Sequence, residues 1–416
     1  MLLIKNIKKL VQVEEKPRAL IAGKDMARLD CIDNAFLLID GEKIIDFGRN
    51  DNLNTAILDY NNTTVIDADG RMVFPSFCDS HTHLVYAGSR EIEYIDKIRG
   101  FSYAEIARRG GGILNSAKLL HNTAEDDLLE QSLKRVEEII SCGTGAVEIK
   151  SGYGLSTEDE IKMLRVIKRL SKITHITIKS TFLGAHAVPE KYAGERGKYI
   201  DLVINEMIPQ IADEKLADFI DVFCDKGFFT VEETGQILVA GAKYGLQAKI
   251  HANELAASGG IQAGVECGAL SVDHLEYTGD DEIKCLLGSK TMPTLLPGAA
   301  FFLGMNYPPA RKMIESGLPV ALASDYNPGS SPSGDMKFVL SLACIKMKML
   351  PEEAINALTV NSAYAMNLSQ SHGSIARGKI ANVFITKPVS SYEFLPYAYT
   401  AKLVDTIILN GKIENA

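Results

Sequence analysis

His81 and His83 are separated by one residue in Pro75-Ser-Phe-Cys-Asp-Ser-His-Thr-His-Leu84. Side chains at alternate positions of a β-strand share a face, so both imidazoles can address one metal ion. Short pairs of this kind also arise by chance, and two surface imidazoles satisfied by hydrogen bonds would explain this one equally well. The supply of further ligands decides between the two. His251 and Asp325 complete a set of three imidazoles and one carboxylate, suited to zinc or to ferrous or ferric iron. Such a set leaves an open position for water, as a catalytic site does and a structural one does not. A bound cation lowers the pKa of its water toward neutrality and can polarise a carbonyl, which points to hydrolysis.

Other residues add to this chemistry. Asp325 follows the apolar run Val320-Ala-Leu-Ala323 and could bind metal, take a proton from the water, or do both. His274, in Ser271-Val-Asp-His-Leu-Glu276, is a candidate for stabilising an oxyanion or moving a proton, with a core histidine bonded to Asp273 as the bland alternative. Glu254 could hydrogen-bond a substrate nitrogen, although an acid there would also suit the first turn of a helix. Lys150 raises the question of a second metal, since some binuclear hydrolases bridge two ions with a carboxylated lysine. Its place on the second strand, and the lack of a lysine ending the Asp221-Val-Phe-Cys224 strand, argue for one. Arg90 and Tyr153 are suited to a carboxylate, held by a planar guanidinium fork and a hydroxyl. An ordinary ion pair of Arg90 with Glu91 or Glu93 is the alternative. Asn327-Pro-Gly-Ser-Ser331 is a turn-rich loop whose backbone and hydroxyl donors could bind an anion's oxygens.

These residues need a scaffold that gathers strand ends. Between about 70 and 370, β-rich apolar runs alternate with amphipathic stretches of helical length, the pattern of βα units on a parallel sheet. Eight strands are expected: Val73–His83, Ala146–Lys150, Ile176–Ala185, Ile220–Cys224, Gln247–His251, Ser271–Leu275, Thr291–Leu295 and Val320–Ser324. Eight strands close a (β/α)8 TIM-like barrel, whose C-terminal strand ends form one active face. At or just past those ends stand His81, His83, Lys150, Tyr153, His186, Asp225, His251, Glu254, His274, Glu276, Thr294 and Asp325. Residues 1–68 and 373–416 read differently. Two apolar runs flank Asp40-Gly41, a hairpin turn signal, and a similar pattern ends in Asn410-Gly411. The two termini are expected to form one small β-sandwich-like domain beside a barrel over 69–372, since neither half has enough strands to bury a core alone.

Composition narrows the partners. With 46% hydrophobic and 23% charged residues the chain is that of an ordinary globular protein, and its net charge of −9 argues against nucleic acid or an anionic membrane. The amino terminus lacks signal-peptide regions and no apolar run reaches about 18 residues, so a cytoplasmic location is expected. Seven scattered cysteines without a Cys-x-x-Cys argue for reduced, mostly buried thiols, with contact of Cys78 and Cys224, near strand ends, with the site as a minor alternative.

The order His81-Thr-His83, His251, His274, Asp325, with Gly373-Ser-Ile-Ala-Arg-Gly-Lys-Ile-Ala-Asn-Val-Phe384, resembles the amidohydrolase superfamily. A narrower resemblance rests on Gly110-Gly-Gly-Ile113, Glu148-Ile-Lys-Ser-Gly-Tyr-Gly-Leu155, Thr181-Phe-Leu-Gly-Ala-His186, Asp221-Val-Phe-Cys224, Val272-Asp-His-Leu-Glu-Tyr277 and Ser324-Asp-Tyr-Asn-Pro-Gly-Ser330. It is to those members that open the cyclic amide of 4-imidazolone-5-propanoate to N-formimidoyl-L-glutamate in histidine degradation. The resemblance implies metal bound by His81, His83, His251 and Asp325, one zinc or iron ion per subunit, and catalytic roles for Asp325, His274 and Glu254. It implies substrate contacts from Arg90, Tyr153, His186 and Glu254, with Asn327, Gly329 and Ser330 at the product-like end. A cytoplasmic homodimer acting on a small carboxylate is implied as well. Within the superfamily, a deaminase of a nitrogen heterocycle would need a similar metal site, but a carboxylate-binding Arg90 favours the propanoate. A barrel without catalysis is a poorer account of so complete a ligand set.

Overall fold

The computed structural model describes residues 1–54, 62–101, 105, 109 and 111–414. Gly110 of the triple-glycine motif lies outside the described residues. Two sheets organise the chain. The first is mixed and built from both termini: β1 (Leu2–Val11), β2 (Cys31–Asp40), β3 (Lys43–Arg49), β4 (Thr64–Asp67), β5 (Met72–Pro75), β14 (Val383–Thr386), β15 (Val404–Leu409) and β16 (Lys412–Glu414). Its order is β16-β15-β14-β5-β1-β2-β3, with β4 pairing β1. Both turn signals close hairpins. Asp40 pairs with Lys43 around Gly41, and Leu409 pairs with Lys412 around Asn410 and Gly411, which take φ of 49° and 70°. A positive φ at both turn residues matches the right-handed twist of the flanking strands. Leu2, Ile4, Leu37, Val73, Ile375, Val383 and Ile408 share one core, joining the two ends of the chain.

The second sheet is parallel: β6 (Phe77–Thr82), β7 (Thr144–Lys150), β8 (Thr177–Ala185), β9 (Phe219–Cys224), β10 (Gln247–Ala252), β11 (Ser271–His274), β12 (Met292–Leu295) and β13 (Ala321–Leu322), paired in chain order. It closes on itself where Thr82 bridges Tyr326, with the Asp325 N–H donated to the His81 carbonyl (3.0 Å) and the His83 N–H to the Tyr326 carbonyl (2.9 Å). These strands are almost wholly buried, as parallel strands covered by helices must be. The covering helices carry explicit start signals. Ser156 caps Thr157–Ile173 by accepting from the Asp159 N–H, and Thr230 with Glu233 forms a capping box on Val231–Ala242.

The apolar run expected as one strand over Val73–His83 is two. Met72–Pro75 pairs with β1 and β14, while Phe77–Thr82 starts the barrel, so the chain passes between sheets at Ser76. Periodicity cannot see that change, because both halves are buried. Among the described residues no helix is long and apolar enough to cross a membrane.

Candidate active site

Strand alternation delivers the first two histidines. His81 ends within β6 and His83 lies just past it, both buried. His251 comes from β10, and Asp325 from the turn after β13, with φ of 54°. Their donor atoms converge: His83 Nε2 stands 3.2 Å from His251 Nε2, and Asp325 Oδ1 is 3.6 Å from His81 Nε2 and 3.7 Å from His83 Nε2. The opposite ring nitrogens are held by carboxylates. His81 Nδ1 is 2.6 Å from Asp273 Oδ2, and His251 Nδ1 is 3.0 Å from Asp221 Oδ2. A ring whose Nδ1–H is donated to a carboxylate turns a lone pair on Nε2 toward the centre, the arrangement of metal-ligating imidazoles. His81 Nε2 is buried without a hydrogen-bond partner. Burial first, and then positive neighbours, keep His81 and His83 well below the usual histidine pKa, hence neutral. The residues fit a metal. His81, His251 and His274 also lie close enough to share an ion.

Below these ligands the barrel interior is ionic. Lys150 Nζ is 2.6 Å from Glu148 Oε1, 2.8 Å from Asp221 Oδ2 and 3.7 Å from Asp273 Oδ2. Lys249 pairs with Glu148 and donates to the Ser80 carbonyl at 2.8 Å. Burial opposes the charge on Lys150, but the three carboxylates prevail and raise its pKa far above the ordinary lysine value. Glu148, Asp221, Lys249 and Asp273 escape a search for strand-end chemistry because they lie inside strands. A charged residue interrupting an apolar run is their one signal in the sequence.

Asp273 belongs to His81, so the alternative bonding of His274 to Asp273 does not occur. His274, with φ of 84°, instead lies between Glu254 and Glu276, at 3.8 Å from the first and 3.9 Å from the second. Burial disfavours its charge, but Glu254, Glu276 and Asp325 outweigh that and raise it to about 10. Glu254 is pushed up to about 7, chiefly by burial. An imidazolium beside a carboxyl near neutrality is a donor paired with a proton carrier. Asp325 is raised as well, again by burial, and Ser330 Oγ donates to its Oδ2 at 3.2 Å.

A cavity of about 660 Å³ opens over this centre. His83, Arg90, Tyr153, His186, His251, Glu254, His274, Asp325, Asn327, Gly329 and Ser330 all line it. Tyr153 sits on a loop tied by Glu160, whose carboxylate accepts the N–H groups of Gly152 (3.0 Å), Gly154 (2.7 Å) and Leu155 (2.9 Å). A side chain at Gly154 would overlap the Glu160 backbone, which accounts for that glycine. His186 stacks on His83 at 5.1 Å and holds the Gly152 carbonyl through Nδ1, leaving Nε2 as its atom for the pocket. Burial pushes His186 down to about 3.

Arg90 is buried, and its Nε donates to Glu93 at 2.9 Å. Glu93 also accepts the Gly112 N–H (3.0 Å) and the Asn115 amide (3.1 Å), so Gly112 and Asn115 fix the partner of Arg90. The Asn327–Ser331 loop departs from the expectation of free anion donors. The Gly329 and Ser330 N–H groups are given to Asn327 Oδ1, at 2.7 and 2.8 Å, in a local turn. Cys78 and Cys224 are buried and do not line the cavity.

Residues 72–413 match the model of the amidohydrolase family, and the chain belongs to that family. Curated relatives narrow the class. An imidazolonepropionase of Flavobacterium johnsoniae is 55% identical over 99% of both chains, and one of Alkaliphilus oremlandii is 41% identical over 99% of this chain and 97% of its own. By this full-length similarity the chain groups with the imidazolonepropionases. Among solved structures, atrazine chlorohydrolase of Arthrobacter aurescens, complexed with zinc and atraton, superposes with a TM-score of 0.71 at 14% identity, covering 99% of this chain and 95% of that one. Guanine deaminase of E. coli does so with a TM-score of 0.71 at 14% identity, covering 100% and 99%. These last two share the fold.

Proposed function

We propose that the protein hydrolyses 4-imidazolone-5-propanoate to N-formimidoyl-L-glutamate, opening the cyclic amide in histidine degradation. The observation that carries this reading is the full-length similarity to imidazolonepropionases, joined to a pocket with a convergent metal-ligand set and a buried arginine. His81, His83, His251 and Asp325 would hold the metal, which when bound supplies a water of lowered pKa and a Lewis acid for the carbonyl. Arg90 and Tyr153 anchor the propanoate, and His186 borders the ring. Asn327, Gly329 and Ser330 close the pocket at the product-like end, with Asn327 and Ser330 also steadying Asp325. Glu254 accepts from a ring nitrogen. His274 donates to the carbonyl oxygen as negative charge develops there. Asp325 takes the proton of the attacking water and returns it to the departing nitrogen, so a C–O bond forms as the ring C–N bond breaks.

One metal ion per subunit, zinc or iron, is part of this reading, as are a homodimer, a cytoplasmic location and a division into a composite β-domain (1–68 and 373–416) and a barrel (69–372). Purified protein loaded with zinc or iron is to be incubated with freshly made imidazolone propanoate, following loss of its ultraviolet absorbance. Turnover is expected. No turnover with either metal, alongside activity on a nucleobase, overturns the assignment.

A further inference from the structure

We propose that Lys97 is a second cation of the carboxylate subsite, acting with Arg90 to select substrates that carry an anionic side chain; this rests on the reading above. Lys97 lies on the helix Glu91–Ile98, two turns beyond Arg90, and lines the same cavity. Both cations converge on Gly329. The Lys97 Nζ donates to the Gly329 carbonyl at 2.5 Å, while the Arg90 guanidinium packs where a Gly329 side chain would otherwise stand. The Lys97 ammonium also lies 5.1 Å from the centre of the Phe302 ring, which fixes its position over the pocket wall.

Charge balance at this end calls for an anion. Among the described residues, the carboxylate paired with either cation is Glu93, and it is taken by the Arg90 Nε. Among the described residues Lys97 forms no ion pair. Two cations therefore face one carboxylate in a half-buried setting. Burial and the neighbouring Arg90 lower Lys97 to about 8, which is the response of an ammonium lacking a counter-ion. An incoming propanoate carboxylate would supply it. The Gly329 carbonyl occupies one of three ammonium hydrogens, leaving donors for that oxygen pair.

Lys97→Met and Lys97→Arg are to be compared with the parent enzyme on imidazolone propanoate, and again on an imidazolone lacking the propanoate carboxylate. For Lys97→Met the expected result is a KM for imidazolone propanoate raised about tenfold or more with kcat nearly unchanged, since binding made equally in ground and transition states appears in KM. Lys97→Arg should restore most of the loss, and neither variant should change kinetics on the truncated compound. An unchanged KM in Lys97→Met, or equal losses on both compounds, overturns the proposal while leaving the parent activity standing. Failure of the parent to turn over imidazolone propanoate removes the functional reading, and this proposal with it.

Discussion

Asp273 Oδ2 lies 2.6 Å from His81 Nδ1, and both residues are fully buried 192 positions apart in sequence. Asp273 thereby sets the tautomer of His81 and aims its Nε2 at the metal position. Asp273→Ala is expected to weaken metal binding roughly 10–100-fold. Metal content after dialysis against graded chelator measures this directly, and undiminished retention would show that His81 is oriented by packing alone.

The buried lysine is a stability element. Removing the Lys150 amine leaves Asp221 and Glu148 short of their counter-charge inside the barrel. Breaking a buried pair from one side costs about 3–5 kcal/mol. Lys150→Met should therefore lower the thermal midpoint by several degrees, measured by calorimetry on the metal-loaded protein. A midpoint equal to that of the parent would mean that the network carries little stability.

For His274→Ala, metal is retained and kcat falls by about 10²–10³, the loss typical of one oxyanion donor. Metal analysis and steady-state kinetics on the same sample separate two roles. Because His274 also lies within reach of a metal shared with His81 and His251, loss of the ion on mutation would make it a ligand.

Glu254 predicts the acid side of the pH profile. Its carboxyl is raised to about 7, chiefly by burial, so below that pH it is protonated and loses the charge that makes it a strong acceptor for a ring N–H. The sign follows: kcat/KM should fall as pH drops through about 7 and level off above it. In Glu254→Gln that limb should vanish from a lower plateau. An unaltered limb would assign it to another group.

Much of this site is legible in strand arithmetic. His81 and His83 alternate on one strand, and His251, His274 and Asp325 each stand at or just past the end of an expected strand, so the barrel rule gathers them on one face. The partners across the barrel are not legible. Alternation says that Asp221 and Asp273 point inward, but not which imidazole each one meets, because that depends on stagger between strands. The Asn327 loop misleads for a local reason: an Asn side chain that closes its own turn consumes the N–H groups a free loop would offer. Ser76 hides the passage between sheets because the residues on either side are equally buried.

Gly329 offers a test of the pocket's carboxylate end that leaves the metal untouched. Its φ does not lie in the left-handed region, so alanine suits the backbone, but the added methyl would overlap the Arg90 guanidinium. The end of a flexible side chain can move aside at small cost, whereas Glu93 holds only its Nε. Gly329→Ala should therefore keep its folding midpoint and metal content while swinging Arg90 away from its carboxylate-binding position. KM for imidazolone propanoate is expected to rise about tenfold or more with kcat changed far less, since binding lost equally from ground and transition states appears in KM. A fall in kcat at constant KM would place the disturbance at Asp325, through Ser330, rather than at Arg90.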